Sequence, residues 1–130
     1  AAVDSTGRVY GATRPLNDLG TILITRLLSD GTLDSSWGAA GQIAISTTIA
    51  LNRVYPYLAV DAQDRLMLGG VSTLANRLEF RRFLEDGSAD AAFGAQGLRL
   101  PMVGTGSSPL NMVAWLEQPD GGWVAVTTFQ

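Results

Sequence analysis

Apolar residues along this chain come in short bursts, each bounded by clusters of Asp, Gly, Asn, Ser and Pro. Residues 8–13 form the first burst. Residues 21–28 (Thr-Ile-Leu-Ile-Thr-Arg-Leu-Leu) are rich in β-branched and apolar side chains and read as a second strand. Residues 42–47 alternate apolar and polar cleanly, and residues 54–60 supply a fourth strand, with Pro56 restricted to its start or to a sheet edge. The order then recurs over residues 65–71, 77–84, 98–103 and 112–117, and a strand over residues 122–129 follows. No apolar pattern at helical spacing runs long enough to predict a stable helix.

The polar punctuation repeats as well. Ser29-Asp30-Gly31-Thr32-Leu33-Asp34-Ser35-Ser36-Trp37-Gly38-Ala39-Ala40-Gly41 returns as Glu85-Asp86-Gly87-Ser88-Ala89-Asp90-Ala91-Ala92-Phe93-Gly94-Ala95-Gln96-Gly97, displaced by 56 positions without a gap. A second turn begins with Asp4-Ser5-Thr6-Gly7 and returns around Asp64 and Gly121, at steps of 57. The chain therefore reads as one repeat domain over residues 1–130. Its first repeat covers about 4–60, its second about 61–117, and a partial third 118–130. Four antiparallel strands per repeat, joined by short turns, predict an all-β protein of β-propeller-type blades. A lone four-stranded blade has two apolar faces and needs neighbours to cover both. The partners expected are further blades, from the same or an identical chain, or another protein.

Composition narrows the chemistry. There is no cysteine and no histidine, which removes disulfides, thiolate nucleophiles, the usual zinc sites and every Ser-His or Cys-His arrangement. The net charge is −3 and all nine basic residues are arginines, with Arg81-Arg82 the one adjacent pair, so no nucleic-acid partner is expected. No apolar run approaches the roughly 20 residues of a membrane-spanning helix, and no membrane span is expected.

The run from Arg26 through Gly41, with its arginine, apolar pair, Asp-Gly, Leu-Asp, aromatic-Gly and closing glycine, resembles the bacterial delta-60 repeat. The run from Arg82 through Gly97 follows the same pattern, with Ala89 in the place of leucine. A second block of that family is similar to residues 58–70 and 112–126, where Asp64-Arg65 departs from Asp-Gly. The resemblance implies a β-propeller-like fold in a large, secreted or surface-exposed bacterial protein. It implies no established activity, so no catalytic residues are expected.

Asp30, Thr32, Asp34 and Ser36 have the alternating spacing of a calcium loop, but Ser35 and Gly41 stand where its glycine and bidentate glutamate belong. Turn and plug roles account for the same residues: Asp30, Gly31, Asp34, Trp37, Gly38 and Gly41 in the first copy, Asp86, Gly87, Asp90, Phe93, Gly94 and Gly97 in the second. No metal or cofactor is expected. Arg26 and Arg82 share the parity of apolar strand neighbours, so each needs an internal carboxylate, Arg26 taking Asp34 or Asp30 and Arg82 taking Asp90 or Asp86. Tyr55, Tyr57, Trp115 and Trp123 are candidates for stacking on a glycan, with burial in the core as the competing role. Gly104-Thr105-Gly106-Ser107-Ser108-Pro109 has neither the last glycine of a dinucleotide loop nor a helix after it. The chemistry leaves a structural or interaction module first, a carbohydrate-binding one second, and an enzyme third, since nothing pairs carboxylates such as Asp18, Asp64 and Glu79.

Overall fold

The computed structural model of the chain describes residues 1–18, 20–50, 56–74, 76–103 and 110–129. It is all-β, and no helix occurs among these residues. The strands are β1 (Ala2–Val3), β2 (Val9–Thr13), β3 (Thr21–Leu27), β4 (Gln42–Ser46), β5 (Tyr57–Val60), β6 (Leu66–Val71), β7 (Leu78–Phe83), β8 (Leu98–Arg99), β9 (Leu110–Glu117) and β10 (Trp123–Phe129). They form three antiparallel sheets, each a meander in chain order: β1–β4, β5–β8, and the pair β9–β10.

The sheets are offset by one strand from the sequence repeats. The strand that closes the first repeat in sequence, β5, pairs with β6 and opens the second sheet, with Tyr57 opposite Gly69 and Val60 opposite Leu66. Strand β9 does the same for the third sheet. The turn at residues 61–65 thus joins two strands of one sheet rather than two sheets. Pro56 lies immediately before β5, where its missing N–H interrupts no ladder.

One expected strand is shorter than its sequence suggests. The run 98–103 keeps ladder pairing only at Leu98 and Arg99, followed by a single bridge between Arg77 and Met102. Pro101 is the physical reason, because it has no N–H to give the ladder, although its carbonyl still accepts from Leu78 N at 3.1 Å.

Two apolar layers hold the sheets together. Tyr10, Ile22, Ile24, Trp37 and Ile45 of the first sheet pack against Leu66, Leu68 and Phe83 of the second. Met67 and Phe93 of the second sheet pack against Trp115 of the third, with Phe80, Trp123 and Ala125 at the margin. Strand alternation makes this possible: Leu66 and Leu68 face one layer while Met67, between them, faces the other. Strands β5 and β6 are therefore apolar on both sides, as expected of a sheet sandwiched between two others.

The Asp-Gly loops share the same framing bonds. Asp34 N donates to Arg26 O (3.0 Å) and Arg26 N to Gly41 O (3.0 Å), while Asp90 N donates to Arg82 O (2.9 Å) and Arg82 N to Gly97 O (3.1 Å). Each loop then turns through a glycine in the left-handed region, Gly38 at φ +55° and Gly94 at φ +65°. A methyl group on Gly38 would stand 2.5 Å from both Gln42 O and Ile43 Cγ2, whereas one on Gly31, at φ +84°, meets nothing within 4 Å. Gly38→Ala is accordingly expected to cost roughly 3 kcal/mol, left-handed strain plus overpacking, and Gly31→Ala only about 1 kcal/mol of strain. Urea denaturation of the two variants measures the difference, and equal costs would contradict the packing argument.

Candidate functional site

The chemistry-bearing side chains gather where one sheet meets the next. On β3, alternation turns Arg26 inward beside Ile22 and Ile24. Its Nε and Nη2 each lie 2.8 Å from Asp34 Oδ2, and its guanidinium carbon is 5.4 Å from the Trp37 ring centre and 6.0 Å from that of Tyr10. The remaining nitrogen, Nη1, donates to Glu85 O of the second sheet at 2.9 Å. Next to it, Gly38 N donates to Asp86 O at 3.1 Å, and Gly87 lies against the indole of Trp37, its position for a Cβ 3.1 Å from that ring. The Asp-Gly turn of the second sheet therefore sits in a cradle made by Arg26, Trp37 and Gly38. Trp37 is only 1% exposed there.

Arg82, Phe93 and Gly94 repeat this cradle one sheet further on. Arg82 Nε donates to Asp90 Oδ2 at 2.6 Å, and the guanidinium carbons of Arg82 and Arg99 stand 4.7 and 4.6 Å from the centre of the Phe93 ring. Among the described residues, neither Arg82 nor Gly94 N bonds to the third sheet. The space in front of them is a cleft of about 700 Å³ lined by Arg82, Phe93, Arg99, Pro101 and Trp123, among others. The Arg82 side chain is 15% exposed against 5% for Arg26.

The carboxylates of the Asp-Gly loops are engaged locally. Asp30 Oδ1 accepts from Thr32 N and its hydroxyl, and Asp86 Oδ1 accepts from Ser88 N and its hydroxyl. Asp34 Oδ1 accepts from Ser36 N and its hydroxyl while Oδ2 faces Arg26. The Ser36 hydroxyl bond, with the neighbouring Arg26 charge in support, holds Asp34 below the usual carboxylate range. The calcium-like spacing is in this way used by turn chemistry.

Of the candidate stacking aromatics, Trp115 is a core residue at 8% exposure, stacked on Phe80 (5.4 Å between centres) and 4.8 Å from Trp123. Tyr57 is half-buried and its hydroxyl donates to Met112 O at 2.7 Å. Trp123 is half-buried on the wall of the cleft. Tyr55 and the glycine-rich run 104–109 lie outside the described residues.

The bonds of three buried carboxylates went unread in the sequence. Asp4 is buried and accepts from Thr6 N, Thr6 Oγ1 and Arg8 N through Oδ1, and from Arg8 Nε (2.5 Å) and Tyr10 OH (3.2 Å) through Oδ2. Asp61 repeats the arrangement with Gln63 N, Arg65 N and Arg65 Nε. The signal was an aspartate four residues before an arginine, recurring at a step of 57. Glu79, 1% exposed, accepts from the hydroxyls of Thr47 and Thr48, from Thr48 N (2.7 Å) and from Arg81 Nε (2.6 Å), fastening the segment after β4 to the second sheet.

A scan with protein-family models, a search among curated proteins and a search among solved structures each find no match to the chain. No helix of the described residues is long and apolar enough to cross a membrane.

Burial works to raise the Asp4 pKa, but hydrogen bonds from Thr6 and Arg8 together outweigh it and bring the group down to about 2 from 3.8. Glu79 is lowered in the same way: burial opposes its charge, and the bonds from Thr48, Arg81 and Thr47 prevail. Groups lowered on folding stabilise the fold fully above their unfolded pKa, and that contribution is lost as pH falls toward the folded value. Urea stability is expected to stay level down to about pH 5 and to fall between about pH 4 and pH 2. Asp4→Asn is expected to cost about 2 kcal/mol at pH 7, with the gap to the parent chain closing near pH 2. A gap that persists unchanged at pH 2 would contradict the assignment.

Proposed function

We infer that the chain is a structural or interaction module built of β-propeller-type blades of the delta-60 kind, without enzymatic activity of its own. On this reading it belongs to a larger or oligomeric bacterial protein that works outside the cytoplasm. The observation that carries it is the outer face of the β9–β10 pair. Val113, Leu116, Val124 and Val126 are all more than 40% exposed there. At the repeat spacing, Val124 holds the place of Tyr10 and Met67, which the following sheet buries to 1% exposure each. A face covered twice and left apolar the third time supports a series that continues with further sheets.

The polar side chains support the same reading. Arg26, Asp34, Asp4, Asp61 and Glu79 are each committed to a loop, a turn or a neighbouring sheet, so the charged groups maintain architecture rather than converge on a substrate. The bacterial and extracytoplasmic assignment rests on the resemblance of the two Asp-Gly blocks.

Sedimentation of the 130-residue chain tests the module reading. Self-association that grows with concentration and is weakened by Val124→Lys is expected, and a monomer at every concentration would sink it. Trp37→Ala is expected to cost about 3–5 kcal/mol, because it empties the layer shared by the first two sheets. Thermal denaturation of that variant checks the value, and a change under about 1 kcal/mol would remove the sheet-to-sheet packing on which the reading stands.

A further inference from the structure

The two cradles have the same construction, and one of them shows what it holds. Arg26 Nη1 and Gly38 N receive the carbonyls of Glu85 and Asp86, the turn that follows β7, while Trp37 covers Gly87. Strand β7 reaches that position by pairing with β6, with Phe83 opposite Leu66 and completing the apolar layer. In the next layer, β10 holds the place of β6 and Trp123 the place of Leu66. The cleft lies where the counterpart of β7 would stand. The far edge of β10 carries no paired strand among the described residues.

We propose that the cleft lined by Arg82, Phe93, Arg99 and Trp123 is a strand-docking site for the third strand and Asp-Gly turn of a following repeat. The incoming strand adds antiparallel to the free edge of β10, as β7 adds to β6, and its backbone hydrogen bonds supply affinity without regard to sequence. Specificity comes from three features. A large apolar side chain in the register of Phe83 lies opposite Trp123. Two successive turn carbonyls accept from an Arg82 Nη nitrogen and from Gly94 N. A glycine lies over Phe93, where any side chain would meet the ring and the guanidinium of Arg99. Arg99 takes the position that Ile43 has in the filled cradle, so its charge also faces the turn carbonyls. The connections set the reach: β2 and β3 are joined by residues 14–20 and β6 and β7 by residues 72–77, so a connection of six or seven residues is enough to bring such a strand to this edge. This inference rests on the module reading above and names the partner that completes the layer between the second and third sheets.

The experiment adds a synthetic peptide copying residues 74–103 to the 130-residue chain and follows amide exchange and tryptophan emission. A second version fuses the same segment after Gln130, which keeps the 57-residue step because Gln130 holds the place of Thr73. Binding is expected to slow exchange of the β10 edge amides at least about tenfold and to shift the emission of Trp115 and Trp123 to the blue. A peptide with alanine in place of Phe83 is expected to lose these effects, and Arg82→Ala in the chain to weaken binding about tenfold through the lost charge-assisted bond. Unchanged β10 exchange with both the peptide and the fusion would overturn the proposal. So would β10 amides already protected in a self-associated chain without peptide, which would give the edge to a second copy. A silent β10 in a protein that Trp37→Ala still destabilises refutes this inference alone, whereas a Trp37→Ala variant of parental stability refutes the stacking beneath it.

Discussion

The buried contact between Arg26 and Asp34 is the interaction on which the arrangement of the sheets depends. A guanidinium at that depth is tolerated only with a carboxylate against it and its remaining donors occupied. Asp34 meets the first condition from within the same loop, which fixes the path of the chain between β3 and β4. The carbonyl of Glu85 meets the second from the neighbouring sheet. One side chain therefore couples the conformation of a loop to the docking of the sheet beyond it. Trp37 and Gly38 have their positions because that loop is held, and removal of Asp34 would leave a charge in an apolar layer rather than simply delete a bond.

Much of this was legible in the sequence, because the strands follow alternation and the turns follow Asp, Gly and Pro. The Arg26–Asp34 and Arg82–Asp90 contacts could be anticipated from parity, since an arginine on the apolar side of a strand needs a carboxylate and each loop offers two. What the sequence did not show was the pairing of strands across repeats. A repeat is defined by self-similarity, which has no preferred starting point, so nothing in residues 4–60 says that β5 pairs forward with β6. Glu79 was equally opaque. Its partners Thr47 and Thr48 sit more than 30 positions away, and a glutamate between Leu78 and Phe80 reads as an ordinary solvent-facing strand residue. Leu98 and Arg99 stop pairing early because proline chemistry at Pro101 overrides an apolar run that continues past it.

The turns that join the first two strands of each sheet show how much of the repeat is side chain and how much is backbone. Asp4, Asp61 and Gln118 begin equivalent turns, each closed by the same backbone bond from the first residue to the fifth: Asp4 N to Arg8 O, Asp61 N to Arg65 O, and Gln118 N to Gly122 O. The third has lost both the aspartate and the arginine, yet keeps the same form. The left-handed residue is Gly7, Asp64 or Gly121, and Asp64 adopts φ +57° without a glycine, as a short polar side chain allows. Its carboxylate is put to use, accepting from Ser5 N of the first sheet at 2.9 Å.

The linker held by Glu79 has a kinetic consequence. Thr48 and Ala50 bond to Thr73 and Val71 at the end of β6, so the first sheet cannot separate from the second without also stripping that strand. Unfolding of such a series proceeds from its least constrained neighbour, with nearest-neighbour contacts setting the order. The two four-stranded sheets, clasped in this way, open as a single cooperative unit.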